Sequence, residues 1–244
     1  MANVMYEAKA FNAEGVLVTD SLYETLYRLE EARAGLRATT ADQVSDALDW
    51  LKARRNSERP GLRFIRTNLD RERTGGYRAA SGDYMPIRYL KLPTGEGKWN
   101  TTVAALRLIL HWEALDSALA QGARTSFLNI YPYPNAAPGR FCCGNCNASY
   151  QPALKSANPD AYAAQEVAFI DVLRQERDSR SRWKGHPFYA TVLALAEIGT
   201  EATLDELHAV AQHVRPSLLN RYRDKADRTS RFRALALKTA LAYA

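Results

Sequence analysis

The segment TTVAALRLILHWEALDSALA, Thr101 to Ala120, constrains the fold most. Its apolar residues run nearly all round a 3.6-residue period, so such a helix has no face to give to water and must be enclosed by other elements. The elements on offer are helices. Ser21 stands three residues before Glu24, the spacing of a capping box, in which each side chain satisfies a free backbone N–H of the first turn. Leu22, Leu26, Leu29 and Leu36 then fall near one face, which predicts a helix from about Ser21 to Leu36. Thr40 and Gln43 repeat the device before Val44, Leu48 and Leu51, and the polar run RRNSERPG ends that helix. Asn158 caps and Pro159 opens a further helix, with Phe169, Val172 and Leu173 inward. SRSRWKGHP is a break, after which FYATVLALAEIG starts beyond Pro187 and stops at Gly199. Thr203 and Glu206 read as a third capping box before Leu207, Val210 and Val214. SRFRALALKTALAYA closes the chain with strong helix formers.

Two stretches lack the helical period. Residues 62–98 contain RTGGYRAASGDYMPIRYLKLPTGEG, rich in glycine and aromatics, and are expected to form an irregular loop with a short strand near Ile87 to Leu92. Residues 131–150 contain YPYPNAAPGRFCCGNC, where Pro132, Pro134, Pro138 and Gly139 oppose a helix. The expected fold class is therefore all-α: helical hairpins in a single domain over residues 1–244, with both loops on one side. Long loops of this kind are often functional.

Composition fits an enclosed core. The chain has 244 residues, 46 % hydrophobic and 25 % charged, the balance of an ordinary globular protein. No apolar run approaches the roughly 18 residues of a membrane span. The start, MANVMYEAKAF, has no basic segment followed by an apolar stretch, so no secretory signal is expected. The three cysteines are clustered and make no disulfide framework, which points to a reducing, cytoplasmic compartment. The net charge is +6, and it is localised. From Leu207 to Ala244 eight basic residues face only Asp224 and Asp227, an excess equal to that of the whole chain. Such a basic tail is either a solvated helical face or an attractor of phosphate, through Arg221, Arg223, Arg228, Arg231 and Arg233.

A faint repeat runs through the helices. Thr102-Val103, Ala105-Leu106 and Ile109 match Thr191-Val192, Ala194-Leu195 and Ile198 at identical offsets, with Trp99 and Trp183 ahead of each. LDWLKARRNS and IDVLRQERDS match upstream. The order Gln175 … Asp178 … Trp183, then Thr191-Val192-x-Ala194-Leu195, resembles the repeats of the α/α-toroid superfamily, which includes squalene and terpene cyclases and protein prenyltransferases. The resemblance covers Val167 to Gly199 best and Val44 to Leu115 more loosely. It implies stacked helical hairpins, a partial toroid around a concave apolar centre. It does not imply cyclisation: the nearest acidic segment, NLDRE at Asn68 to Glu72, has one aspartate where a rich cluster is needed.

FCCGNC holds all three thiols, Cys142, Cys143 and Cys146. Cys143-Gly144-Asn145-Cys146 has the C-x-x-C spacing that points two sulfurs at one ion, with Gly144 allowing the turn. A zinc site would need further ligands, with Cys142 and the loop residue His186 as candidates. The same spacing at a helix start gives an acidified redox thiol, and a plain loop packing small thiols on aromatics is the third reading. The non-helical Arg78, Tyr84, Arg88, Tyr131 and Tyr133, with Trp183, combine aromatic and arginine side chains, which recognise ligands by stacking and forked hydrogen bonds. No phosphate loop, dinucleotide fingerprint, H-E-x-x-H or G-x-S-x-G occurs. The sequence thus favours a binding module for a small molecule, peptide or protein partner. A metal-dependent enzyme on the cysteine cluster and nucleic-acid binding through the basic C-terminal helices remain as alternatives.

Overall fold

The computed structural model describes residues 15–53, 90–96, 98–99, 101–114, 116–130, 138–141 and 143–244. The fold is all-α, as expected from the periodicity. Its elements in chain order are α1 (Leu22–Arg33), α2 (Ala41–Ala53), β1 (Leu90–Lys91), β2 (Lys98–Trp99), α3 (Thr101–Trp112), α4 (Ala118–Ile130), α5 (Gly144–Ala157), α6 (Pro159–Glu176), α7 (Phe188–Ile198), α8 (Glu201–Ala211), α9 (Pro216–Asn220) and α10 (Arg228–Leu241). The two short strands pair antiparallel, Leu90 opposite Trp99 and Lys91 opposite Lys98. The expected strand near Ile87 to Leu92 therefore exists at its C-terminal end.

Helix α1 shows how closely local chemistry sets an element. Ser21 accepts a 3.0 Å bond from the Glu24 N–H. At the other end Gly35 takes a left-handed φ of 68°. The Gly35 N–H then reaches the Ala32 carbonyl at 3.0 Å and the Leu36 N–H the Glu31 carbonyl at 2.8 Å, the paired bonds of a Schellman motif. Leu36 is thus buried just past the helix rather than inside it. The Thr40–Gln43 box is reciprocal: the Gln43 N–H donates to Thr40 Oγ1 at 3.3 Å and the Thr40 N–H to Gln43 Oε1 at 3.2 Å. Asn158 caps α6 by accepting the Ala161 N–H at 3.0 Å.

Three expectations are corrected. Thr203 and Glu206 do not cap α8. The helix begins at Glu201, with Thr200 as its first flanking residue, and both lie inside it, fully buried. The spacing T-x-x-E recurs one turn too late because Glu206 is there for Trp183, as shown below. The continuous helix of Thr101 to Ala120 is two, α3 and α4, parted around residues 113–117. Third, the 131–150 loop ends early: residues 144–157 are α5, at the centre of the fold.

Helix α5 forms despite Gly144, two asparagines and an internal Pro152, which removes one backbone donor. Tertiary contacts override these weak propensities. Asn147 Oδ1 accepts the Phe141 N–H at 2.9 Å, and Asn147 Nδ2 and Gln151 Nε2 both donate to the Gly139 carbonyl, at 3.2 and 3.3 Å. Tyr150 stacks on Phe141 at 4.3 Å and on Phe127 at 5.2 Å. Gly139 itself has φ 76°, and a Cβ there would lie 2.4 Å from the Ala168 carbonyl oxygen of α6.

Helices α1, α3, α5, α7 and α10 form a row in which each touches the next. Helix α4 lies against α3 and α5, α6 against α5, and α8 against α6, α7 and α10. Consecutive helices pair across short connections, Asn158 alone between α5 and α6 and Gly199-Thr200 between α7 and α8, so these neighbours form helical hairpins. Val103, Leu106 and Ile109 of α3 and Val192, Leu195 and Ile198 of α7 are all at most 1 % exposed. Each such side chain contributes about 1.5–3 kcal/mol of burial. The two matching helices flank α5 from either side. Any pair of interior helices would bury those positions, so the burial does not by itself make the two units copies.

One ionic node ties the row together. Arg107 of α3 is 5 % exposed and bonds Glu30 of α1 and Glu197 of α7, while Arg33 pairs with both acids at 2.7 and 3.0 Å. Burial would raise the Glu30 pKa, but the two guanidiniums outweigh it and hold it at about 2. The node borders a cleft of about 30 Å³ lined by Thr94, Ser149 and Phe232 among others, room for about one water molecule.

Candidate functional site

The residues singled out from sequence fall into three groups. Arg78, Tyr84, Arg88, Tyr131, Tyr133 and Cys142 lie outside the described residues. Trp183 is a core residue, 3 % exposed, whose indole N–H donates to Glu206 Oε1 at 2.8 Å. Arg177 reaches the other oxygen of that carboxylate at 3.2 Å. Trp183 therefore anchors the α6–α7 connection to α8 from within the core.

Cys143, Cys146 and His186 form the third group. Cys143 is the residue before α5, exposed; Cys146 is in its first turn, 1 % exposed. Their sulfurs stand 3.8 Å apart. Gly144 is needed between them, because a Cβ there would lie 2.4 Å from the Gly185 carbonyl oxygen and 2.8 Å from His186 Cδ2. His186 is thus brought to the cysteine turn, as loop context suggested. Its Nε2 lies 3.1 Å from Glu176 Oε2, whose other oxygen meets Arg140. Desolvation lowers the His186 pKa, Glu176 opposes this, and Arg140 adds to it. Among the described residues no group of three or more His, Cys, Asp or Glu side chains is placed to share a metal ion. Cys143, Cys146 and His186 are neighbours without converging as a ligand set.

The basic tail divides sharply. Arg228 bonds Glu24 at 2.6 Å and Glu31 at 3.1 Å and covers the ring of Tyr27. Arg231 lies 3.6 Å from Glu31. Arg233 donates to the Thr94 carbonyl at 2.8 Å and sits over Tyr189 and Tyr222. These three fasten α10 to α1, to α7 and to the turn after β1. Arg221 and Arg223 are exposed.

Arg221 opens onto a groove of about 950 Å³ that sequence reading did not assemble. One wall is the α6–α7 connection, carrying Arg180 and Arg182; the other runs from the end of α8 through α9, carrying His213, Arg215 and Arg221. Phe188, Val210, Val214 and Leu218 supply apolar lining, and among the described residues no acid lines it. Arg180, Arg182, Arg215 and Arg221 are exposed, and none has a carboxylate within 4.0 Å among the described residues.

The arginine wall is held rigidly. The Asp178 carboxylate accepts the N–H groups of Arg180 and Arg182 at 2.8 and 2.9 Å. Those backbone bonds lower its pKa, so it stays ionised. The Asp178 N–H meets the Arg182 carbonyl at 2.8 Å, and Ser181 takes a left-handed φ of 56° to close the turn. Such a backbone state costs a non-glycine residue on the order of 1–3 kcal/mol. The turn spends its one acid on its own backbone and projects its two arginines outward. The SRSR run was visible in the sequence, but only as a helix break; nothing local placed it opposite Arg215 and Arg221.

Among the described residues no helix is long and apolar enough to cross a membrane. Comparison of the chain with protein-family models, with curated proteins and with solved structures finds no match.

Proposed function

We propose that this protein is a nucleic-acid-binding module that grips the phosphate backbone in the groove between the α6–α7 turn and α9. The observation that carries the reading is the convergence of Arg180, Arg182, Arg215 and Arg221 on one groove without an acidic lining residue among those described. Guanidinium forks match phosphate oxygens two at a time, and focused positive potential in a cleft steers polyanions to it. An open groove of this size suits an extended backbone better than a compact metabolite. Its phenyl ring, Phe188, is buried beneath Arg182, whose guanidinium lies 5.3 Å from the ring centre. Among the described lining residues the one exposed ring is the His213 imidazole, against four arginines, which favours contact with phosphates over recognition of sequence.

The test is fluorescence anisotropy of labelled duplex DNA, duplex RNA and single strands titrated with protein across a salt series. Four phosphate contacts give a log–log salt slope of about −3 to −4 on duplex DNA. Replacing Arg180, Arg182, Arg215 and Arg221 with Gln should flatten that slope and lower affinity by at least about tenfold for every sequence tested. Binding that is absent at low salt, or that survives the fourfold replacement unchanged, overturns the reading.

A further inference from the structure

We infer that Cys143 and Cys146 form a redox-active dithiol that exchanges with disulfide substrates, an activity independent of the arginine groove. The geometry is already close to that of a bond. The sulfurs are 3.8 Å apart, in van der Waals contact, against the roughly 2.05 Å of a disulfide. The backbone between them is fixed by the Cys146 N–H donating to the Cys143 carbonyl at 3.1 Å. Gly144 lies directly against the Gly185 carbonyl and the His186 ring edge, which holds the turn from outside.

The two thiols differ in access, as sequential exchange requires. Cys143 is exposed and Cys146 is 1 % exposed. Cys143 Sγ attacks, as thiolate, one sulfur of a substrate disulfide; the S–S bond breaks, a mixed disulfide forms, and the first substrate thiolate leaves. Cys146 Sγ, from behind, then attacks the Cys143 sulfur of that mixed disulfide and expels the second substrate thiolate. The protein gains one S–S bond and loses two protons and two electrons; the substrate disulfide gains both as two thiols. A partner too large to enter the fold can reach Cys143, and Cys143 Sγ is within 3.8 Å of Cys146 Sγ.

A second observation sets this turn apart from an ordinary buried cysteine. His186 beside it is 7 % exposed, and among the described residues neither ring nitrogen has an aligned hydrogen bond, although Glu176 stands 3.1 Å from Nε2. The Glu176 carboxylate thus holds the imidazole against the cysteine turn. His186 is a positioning residue here, acting on the turn through Gly144.

The experiment equilibrates the whole protein in glutathione redox buffers, quenches with acid, alkylates free thiols and maps peptides by mass spectrometry. A Cys143–Cys146 disulfide should appear in a single two-electron transition as the buffer becomes more oxidising. Cys142→Ser should leave that transition in place. Cys146→Ser, unable to resolve, should accumulate about one glutathione per chain, on Cys143. Cys143→Ser should abolish both products. Far-ultraviolet circular dichroism confirms that each variant is folded. Folded protein that forms no Cys143–Cys146 bond at any glutathione ratio overturns the inference. So does trapping of glutathione on Cys142 instead.

Discussion

Arg107 is the residue on which the ionic interior depends. It satisfies Glu30 and Glu197 at once, and Arg33 completes the square. Removing one member of a buried ionic group leaves charge without compensation. Arg107→Ala should therefore cost about 3–5 kcal/mol of unfolding free energy in urea titration; a loss below about 1 kcal/mol would show that water enters and repairs the site. The same node predicts an acid limb. The folded pKa of Glu30, about 2, lies below the ordinary glutamate value of 4.5. Its stabilisation, about 3 kcal/mol, is fully present above the unfolded pKa and is lost as pH falls through the interval from about 4.5 to about 2. Denaturant midpoints measured across that range in wild type and in Glu30→Gln should converge toward the acid end. Parallel curves would assign the acid sensitivity elsewhere. Trp183 makes the related point for a neutral donor: Trp183→Phe removes both the N–H donor to buried Glu206 and the second ring of a buried indole, and should cost at least about 1–3 kcal/mol in thermal unfolding.

At the scale of elements, α5 and the turn before it form one unit. The turn gives α5 its polar partners through Gly139 and Phe141, and α6 leaves no space for a side chain at Gly139. Gly139→Ala meets both a left-handed backbone and a neighbouring carbonyl, so it should destabilise by at least about 2 kcal/mol. Asn158→Ala, which removes the cap shared by the α5–α6 junction, should cost about 1 kcal/mol. If the Gly139 variant proves milder than the Asn158 variant by equilibrium denaturation, the close approach to α6 is not what holds the turn. The helix starts at Ser21, Thr40 and Asn158 were legible because a cap is written within four residues. The α8 start was misread because T-x-x-E cannot tell a cap from a buried acid serving another element. Helix α5 was hidden because its stabilising partners lie in other segments, while its own residues carry poor propensity.

For the molecule as a whole, positive charge is spent in two ways. Arg228 and Arg231 neutralise Glu24 and Glu31 of α1, joining segments about 200 residues apart in the chain. Arg180, Arg182, Arg215 and Arg221 are left to the groove. The two sets should separate by experiment. Arg228→Ala should raise hydrogen exchange in α10 and lower stability by about 1–3 kcal/mol, since Glu31 is buried. The fourfold Gln replacement in the groove should leave the thermal midpoint nearly unchanged, because exposed substitutions usually stay within about 0.5 kcal/mol each. A large loss of stability in the groove variant would mean that those arginines brace the α6–α7 turn.

What the sequence alone determined was the all-α class, the local caps and the apolar faces that must be covered, because periodicity and capping are interactions within a few residues. It also placed every thiol in one turn and the excess charge in the last helices. Only the tertiary structure decided that FCCGNC runs into a central helix with its outer thiol exposed and its inner one buried. Only the tertiary structure decided which arginines are consumed by buried acids and which face each other across a groove. Both outcomes depend on pairings between segments far apart in the chain, and no local pattern encodes which distant side chain arrives to neutralise a charge or to press upon a glycine.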